Sequence, residues 1–126
     1  MLFLMLFLHI VDDYYMQGIL ANMKQKSWWK EHAPDELYKN DYILALLCHA
    51  FSWTFMIMLP IWVSLNFTVT PMFAIAFVIN LTIHAFVDDL KANKKKINLI
   101  VDQSIHISQI IVTCLLFSWS FLRFIV

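Results

Sequence analysis

The pattern of apolar and polar residues divides the chain into four long apolar stretches separated by shorter polar segments. The stretches run from Leu2 to Met23, Tyr42 to Leu65, Pro71 to Leu90 and Ile97 to Val126. A helix needs about 20 predominantly apolar residues to cross a bilayer. We therefore predict an all-α integral membrane bundle of four transmembrane helices, arranged as two helical hairpins in a single domain that covers residues 1–126.

Lysines are concentrated in two of the segments between these stretches. They are Lys24, Lys26, Lys30 and Lys39 after the first stretch, and Lys91, Lys94, Lys95 and Lys96 after the third. Cytoplasmic loops of membrane proteins carry an excess of Lys and Arg. Both lysine-bearing segments are therefore predicted to be cytoplasmic, with both termini outside. The first stretch has no basic segment before it and meets Asp12 and Asp13 where a signal peptide would be cleaved, so we expect it to be retained as a span.

Composition supports a membrane protein and excludes other classes. The chain is 61% hydrophobic and only 14% charged, with one glycine and three prolines, which is atypical of soluble domains and of turn-rich β folds. Nine basic and nine acidic side chains give a formal net charge of zero, so no positive field favours nucleic acid. The expected partners are membrane lipids, a lipid or phosphoester substrate and further copies of the chain, and no binding to nucleic acid is expected.

Ionisable residues recur inside the predicted spans at helical spacing. Three His/Asp pairs are each separated by four residues, which places both members on one helix face. The pairs are His9 with Asp13, His84 with Asp88, and Asp102 with His106. His49 adds one imidazole on the second span. The predicted topology brings all of them to the cytoplasmic half of the bilayer, and their cost of insertion, about 2.5 to 3.5 kcal/mol for a charged residue, predicts that they face the bundle interior.

This donor set predicts a metal centre. Imidazole and carboxylate together suit Zn, Mn or Fe, and no cysteine cluster is present. We predict one or two divalent transition-metal ions held by residues of the three pairs, with His49, Asp12 and Asp89 as catalytic candidates. An aspartate beside a histidine can instead orient the imidazole, so only some of the six are expected to be ligands. Interhelical hydrogen bonding is the alternative explanation for any single pair.

These motifs resemble those of a known family. The elements are H-x3-D-x3-Q from His9, the single His49, H-x3-D-x2-K from His84, and D-Q-x2-H from Asp102. Together they resemble the domain of unknown function 3307 family, small polytopic membrane proteins of bacteria and phages, over about His9 to Gln109. The resemblance implies the bacterial inner membrane. The pattern is more loosely similar to membrane-bound metal-dependent hydrolases. Asp89 follows the family acid Asp88, which leaves open which of the two faces inward.

The leading functional hypothesis is a membrane-embedded metal-dependent hydrolase that acts on a lipid or a membrane-soluble phosphoester or acyl compound. The alternatives are a metal-ion or proton transporter or channel, and a non-catalytic phage protein that binds a host membrane partner. Transport needs a polar route to both faces, yet the outer halves of the spans carry no ionisable residue apart from Arg123. A non-catalytic protein has no need for so many ionisable residues at one depth.

Overall fold

The structure, a computed structural model, describes the backbone of residues 1–125 and the side chains of residues 1–119. Its elements in chain order are α1 (Leu2–Ile10), a π-helical segment (Val11–Met16), α2 (Leu20–Met23), α3 (Lys26–His32), a 3-10 turn (Glu36–Tyr38), α4 (Asp41–Ser64), α5 (Pro71–Ala92) and α6 (Leu99–Ile125). The all-α prediction is confirmed. The side chain of Arg123 lies outside the described residues.

Among the residues whose side chains the structure describes, three helical regions are long and apolar enough to cross a membrane. They are Glu36–Ser64, which includes α4, Pro71–Ala92, which is α5, and Leu99–Trp119, which belongs to α6. Their outward faces expose large apolar side chains, which lipid would cover. Examples are Leu44, Phe51, Val78, Phe86, Val112 and Leu115. The chain is therefore a membrane protein.

The first predicted span is too short, so the prediction of four spanning helices is wrong there. The stretch from Leu2 to Met23 is divided into α1 of 9 residues, a π-helical segment of 6 residues and α2 of 4 residues. The continuous part before Gln17 is thus shorter than the roughly 20 residues that a span requires. The break lies at Gly18, whose φ of 51° is in the left-handed region that glycine adopts without steric cost. The placement of both termini outside depended on four spans and stays a prediction.

The π-helical segment changes which residues of the first stretch face inward. The backbone N–H of Gln17 donates to the carbonyl of Asp12 at 3.1 Å, a bond across five residues rather than the four of an α-helix. The wider winding lets consecutive acids, Asp12 and Asp13, both turn towards the bundle, with side chains 1% and 7% exposed. Single π turns inside helices are frequent at functional sites.

Two layers divide the bundle along its length. One end is an apolar core in which α1, α4, α5 and α6 contribute side chains that include Met5, Ile57, Phe73, Ile110 and Phe117. The other end buries polar and charged side chains from the same four regions of the chain. The histidines and aspartates of the three pairs thus lie together at one end of the bundle, and their depth in the membrane stays a prediction.

The two lysine-bearing segments contact each other at one end of the bundle. The backbone N–H of Lys26 donates to Asn93 Oδ1 at 2.8 Å, and Asn93 Nδ2 donates to the carbonyl of Lys24 at 3.1 Å. At the opposite end α5 begins at Pro71, a residue suited to the first helical position, and Thr70 caps it by accepting from the N–H of Phe73 at 3.1 Å. Both lysine-bearing segments therefore lie at the end of the bundle that carries the polar layer.

This shared end predicts the outcome of topology mapping. Reporters fused after Lys30 and after Lys96 should both report the cytoplasm, since the two segments contact each other and carry the lysines that favour that side. A fusion after Thr70, which joins the far ends of α4 and α5, is the control and should report the opposite side. Opposite signals from the Lys30 and Lys96 fusions would contradict the structure.

Candidate functional site

Helix geometry accounts for the position of each polar side chain in the buried layer. On α5 and α6 the four-residue spacing places His84 beside Asp88 and Asp102 beside His106, all four buried. His49 comes from the first half of α4, where it is 1% exposed. The π-helical segment supplies Asp12 and Asp13. The structure thus brings together residues that are up to about 90 positions apart in sequence.

His49 and His84 lie nitrogen to nitrogen at the centre of this layer. Their Nε2 atoms are 3.1 Å apart, and both rings are buried. Asp88 Oδ2 lies 3.3 Å from His49 Nε2, and Asp13 Oδ1 lies 3.5 Å from the same nitrogen. Two imidazole nitrogens and two carboxylates therefore converge on one small volume, an arrangement suited to a shared cation.

His106 extends the cluster and its proton position is fixed by its neighbours. The ring stacks on His84 with centroids 4.1 Å apart. Gln109 Nε2 donates to the carbonyl of Asn80 at 3.2 Å, so the Gln109 Oε1 atom is the one left to accept from His106 Nδ1, also at 3.2 Å. The neutral His106 ring then carries its hydrogen on Nδ1 and its lone pair on Nε2.

That lone pair faces negative charge. His106 Nε2 lies 3.4 Å from Asp88 Oδ1 and 3.5 Å from Asp102 Oδ1. A lone pair directed at carboxylate oxygens is unfavourable unless a proton or a metal ion lies between them. Metal-bound histidines almost always donate their other ring N–H to an acceptor, which is the role Gln109 plays here.

Two groups of side chains have ligand atoms close enough to share a metal ion. One is Asp13, His49 and His84, and the other is His84, Asp88 and His106; within each group the atoms lie within 4.8 Å of one another. His84 belongs to both groups. The cluster can therefore hold one ion at either position, and the sequence prediction of a metal-binding His/Asp site is supported in this coarser form.

His9 takes a different part in the site. Trp53 Nε1 donates to His9 Nδ1 at 2.7 Å, so His9 Nε2 carries the hydrogen and donates to Gln103 Oε1 at 3.0 Å. Gln103 Nε2 in turn donates to Asp13 Oδ2 at 3.1 Å and Asp102 Oδ2 at 3.2 Å. Both ring nitrogens of His9 are thus used in hydrogen bonds that orient the carboxylates, and His9 belongs to neither candidate ligand group.

Two lysines that the sequence analysis read as loop residues reach into the site. Lys24 Nζ donates to Asp88 Oδ2 at 2.6 Å, and Lys91 Nζ donates to Asp102 Oδ2 at 2.6 Å. Lys24 is only 7% exposed. Lys91 ends the H-x3-D-x2-K motif that begins at His84. Nothing in the local pattern separates Lys24 from the other loop lysines, because its burial depends on the turn at Gly18.

The two lysines balance only part of the negative charge in the buried layer. Asp12, Asp13, Asp88 and Asp102 are four buried or nearly buried carboxylates, and the two lysines pair only with Asp88 and Asp102. Asp12 Oδ1 accepts from Ser52 Oγ at 2.5 Å. Among the described side chains, Asp12 Oδ2, Asp13 Oδ1 and Asp102 Oδ1 are buried without a hydrogen-bond partner. One divalent cation would balance this charge, and the orphaned oxygen atoms fit such an ion.

The structure resolves which acid of each neighbouring pair faces the site. Asp89 lies outside the cluster, where it accepts from Lys94 Nζ at 2.9 Å and Asn93 Nδ2 at 2.9 Å. One residue further along an α-helix turns the side chain by about 100°, which explains why Asp88 is inward and Asp89 is not. Both Asp12 and Asp13 face inward, and Asp12 Oδ2 lies 3.9 Å from His49 Nδ1. The catalytic roles predicted for these residues stay predictions.

Comparison with known proteins places the chain in a family. Residues 1–125 match the family model described as protein of unknown function (DUF3307). The resemblance stated from the motifs is thereby confirmed. No curated protein and no solved structure matches the chain.

The buried ion pair of Lys24 with Asp88 predicts a large difference between two adjacent aspartates. Asp88→Asn leaves the Lys24 ammonium buried without its carboxylate, so the free energy of unfolding should fall by about 3 kcal/mol or more. Asp89→Asn, the matched control, breaks only a partly exposed pair and should change it by less than about 1 kcal/mol. Unfolding of both variants in detergent measures the difference, and equal effects would contradict the burial of the Lys24 pair.

Proposed function

The chain belongs to this family of unknown function, and from the site we propose that it is a membrane-embedded metalloprotein whose divalent transition-metal ion is held by His84, His106 and Asp88. A second position is formed by Asp13 and His49 with the shared His84. The observation that carries the proposal is the position of His106 Nε2 opposite Asp88 Oδ1 and Asp102 Oδ1.

The chemistry of the donor atoms narrows the choice of metal ion. Two imidazoles and a carboxylate suit Zn, Mn or Fe. Neither cysteine belongs to a candidate ligand group: Cys48, which precedes His49, is exposed, and Cys114 belongs to the apolar core at the other end of the bundle. Thiolate-selected ions are therefore not expected, and we propose one or two ions of Zn, Mn or Fe.

We further propose that the metal serves hydrolysis of a lipid or a membrane-soluble phosphoester or acyl compound. A bound metal would supply Lewis acidity and a water of lowered pKa. In the reaction the water oxygen bonds to the phosphorus or acyl carbon, the bond to the leaving oxygen breaks, and that oxygen takes up a proton. With the ion held by His84, Asp88 and His106, His49 is the group that can transfer protons, and Asp12 beside its Nδ1 stabilises the charged form.

The remaining polar side chains keep these groups in place. Gln109 holds the proton of His106 on Nδ1, and Gln103 bridges the carboxylates of Asp13 and Asp102. Trp53 closes the apolar side of the cluster, stacked on His84 with centroids 4.1 Å apart. These contacts exclude water from the inner side of the site and hold the ligand atoms in position before substrate binds.

Transport of a metal ion or a proton is the second candidate function. One observation favours it, because the polar network extends beyond the cluster. From His106 the network continues through Gln109 to Asn80, whose Nδ2 donates to Thr113 Oγ1 at 2.9 Å. Beyond Thr113 the buried side chains of the described residues are apolar and include Phe73 and Phe117. A route for ions would have to cross this layer, so we favour hydrolysis. Because the cluster lies at the lysine-bearing end, we propose that it occupies the cytoplasmic half of a bacterial inner membrane.

Metal content tests the proposed function directly. Purified protein should hold at least one equivalent of Zn, Mn or Fe, and His84→Ala should lower this content several-fold because His84 belongs to both ligand groups. His32→Ala is the matched control, since His32 is exposed on α3, where its Nδ1–H donates to the carbonyl of Trp28 at 2.9 Å. Elemental analysis of detergent-purified protein gives the result. Metal-free wild-type protein, or equal loss in both variants, would contradict the proposal.

A further inference from the structure

A cationic pocket lies at the end of the bundle, next to the candidate metal site. It has a volume of about 390 Å³ and lies between the segment that precedes α3 and the last turn of α5. Its lining includes Lys24, Lys91, Lys95, Gln17 and Gln25, and no carboxylate lines it. Three ammonium groups around one pocket favour an anion.

The lysines connect this pocket to the cluster. Lys24 and Lys91 each hold a site carboxylate, Asp88 and Asp102 respectively, at 2.6 Å. An ammonium group has three N–H donors, so each lysine can keep its carboxylate and donate to a further acceptor. Lys95 has no ion-pair partner among the described side chains and adds an uncompensated positive charge. An anion bound to Lys24 in the pocket would thus be separated from the proposed ligand Asp88 by a single ammonium group.

An apolar groove adjoins the same site from the lipid side. It has a volume of about 570 Å³, lies between the first helical stretch and α6, and is lined by apolar and tyrosine side chains that include Leu6, Ile10, Tyr14 and Ile107. Only His9 and Gln103 supply other polar groups there. Gln103 is the neighbour of Asp102, to which Lys91 of the cationic pocket donates. Lys91 of the pocket and Gln103 of the groove therefore donate to the same carboxylate oxygen, Asp102 Oδ2.

We propose that the cationic pocket binds the phosphate group of an anionic membrane lipid whose hydrocarbon chain lies in the groove. The inference deepens the proposed function, on which it rests for the reaction, by naming the substrate as a phosphorylated amphiphile rather than a neutral acyl ester. A neutral ester would leave the charge of Lys95 uncompensated, since only Lys24 and Lys91 are paired with site carboxylates, and free phosphate would leave the groove without an occupant. The positive charge of the pocket, and the position of the groove on the other side of Asp102, carry the assignment.

Lipid binding to the full-length protein tests this assignment. The probe is dioleoyl phosphatidic acid, titrated into protein in dodecyl maltoside and counted by native mass spectrometry, with dioleoylglycerol as the same chains without phosphate. Lys95→Gln should weaken phosphatidic acid binding about fivefold, the equivalent of the roughly 1 kcal/mol that one lysine contributes near an anionic headgroup. Lys96→Gln is the matched control, because it removes the same charge one residue away and does not line the pocket.

Three results would overturn the inference. They are equal affinities in the Lys95 and Lys96 variants, dioleoylglycerol binding as tightly as phosphatidic acid, and displacement of phosphatidic acid by inorganic phosphate at comparable concentration. Metal content measured on the same samples separates the two proposals. Lys95-dependent lipid binding by a protein that holds no metal supports the pocket and removes the proposed metal site, whereas metal without Lys95 dependence does the reverse.

Discussion

The burial of four carboxylates beside only two lysines is the constraint on which the rest of the structure depends. Asp12, Asp13, Asp88 and Asp102 lie between helices whose outer faces are apolar, so neither water nor lipid solvates them. An unpaired buried charge is far more costly than a hydrogen-bonded one. The imidazoles around these acids supply lone pairs as well as protons, and a divalent cation held among them would remove the excess charge.

This constraint also explains the division of the bundle into two layers. Polar groups that satisfy one another occupy one end, and the apolar core at the other end supplies the packing that holds the helices together. Trp53 lies at the boundary, where its indole N–H serves His9 and its ring covers His84. The π-helical segment also contributes to the polar layer, because it turns both Asp12 and Asp13 inward. An α-helix would direct these consecutive acids about 100° apart.

Much of this arrangement follows from the sequence, and the remainder depends on tertiary contacts. The i, i+4 spacing of His84 with Asp88 and Asp102 with His106 predicts which helix faces meet, because side chains repeat reliably on an α-helix. The length of the first stretch suggested a span, but Gly18 and the π turn shorten it, and composition does not reveal either effect. The burial of Lys24 was not predicted, because it depends on the same turn at Gly18. Gln103 and Gln109 have an effect only through partners on other helices, which no local pattern encodes.

X-ray absorption at the edge of the bound metal tests the central claim most directly, because it identifies the ligand atoms themselves. The structure predicts a shell of nitrogen and oxygen atoms, at about 2.0 to 2.1 Å for zinc, with scattering from at least two imidazole rings. His106→Ala should remove one imidazole from this pattern, whereas His9→Ala should leave the ligand shell unchanged because both His9 ring nitrogens are already hydrogen-bonded. A shell without imidazole scattering, or one that responds to His9 and not to His106, would contradict the account.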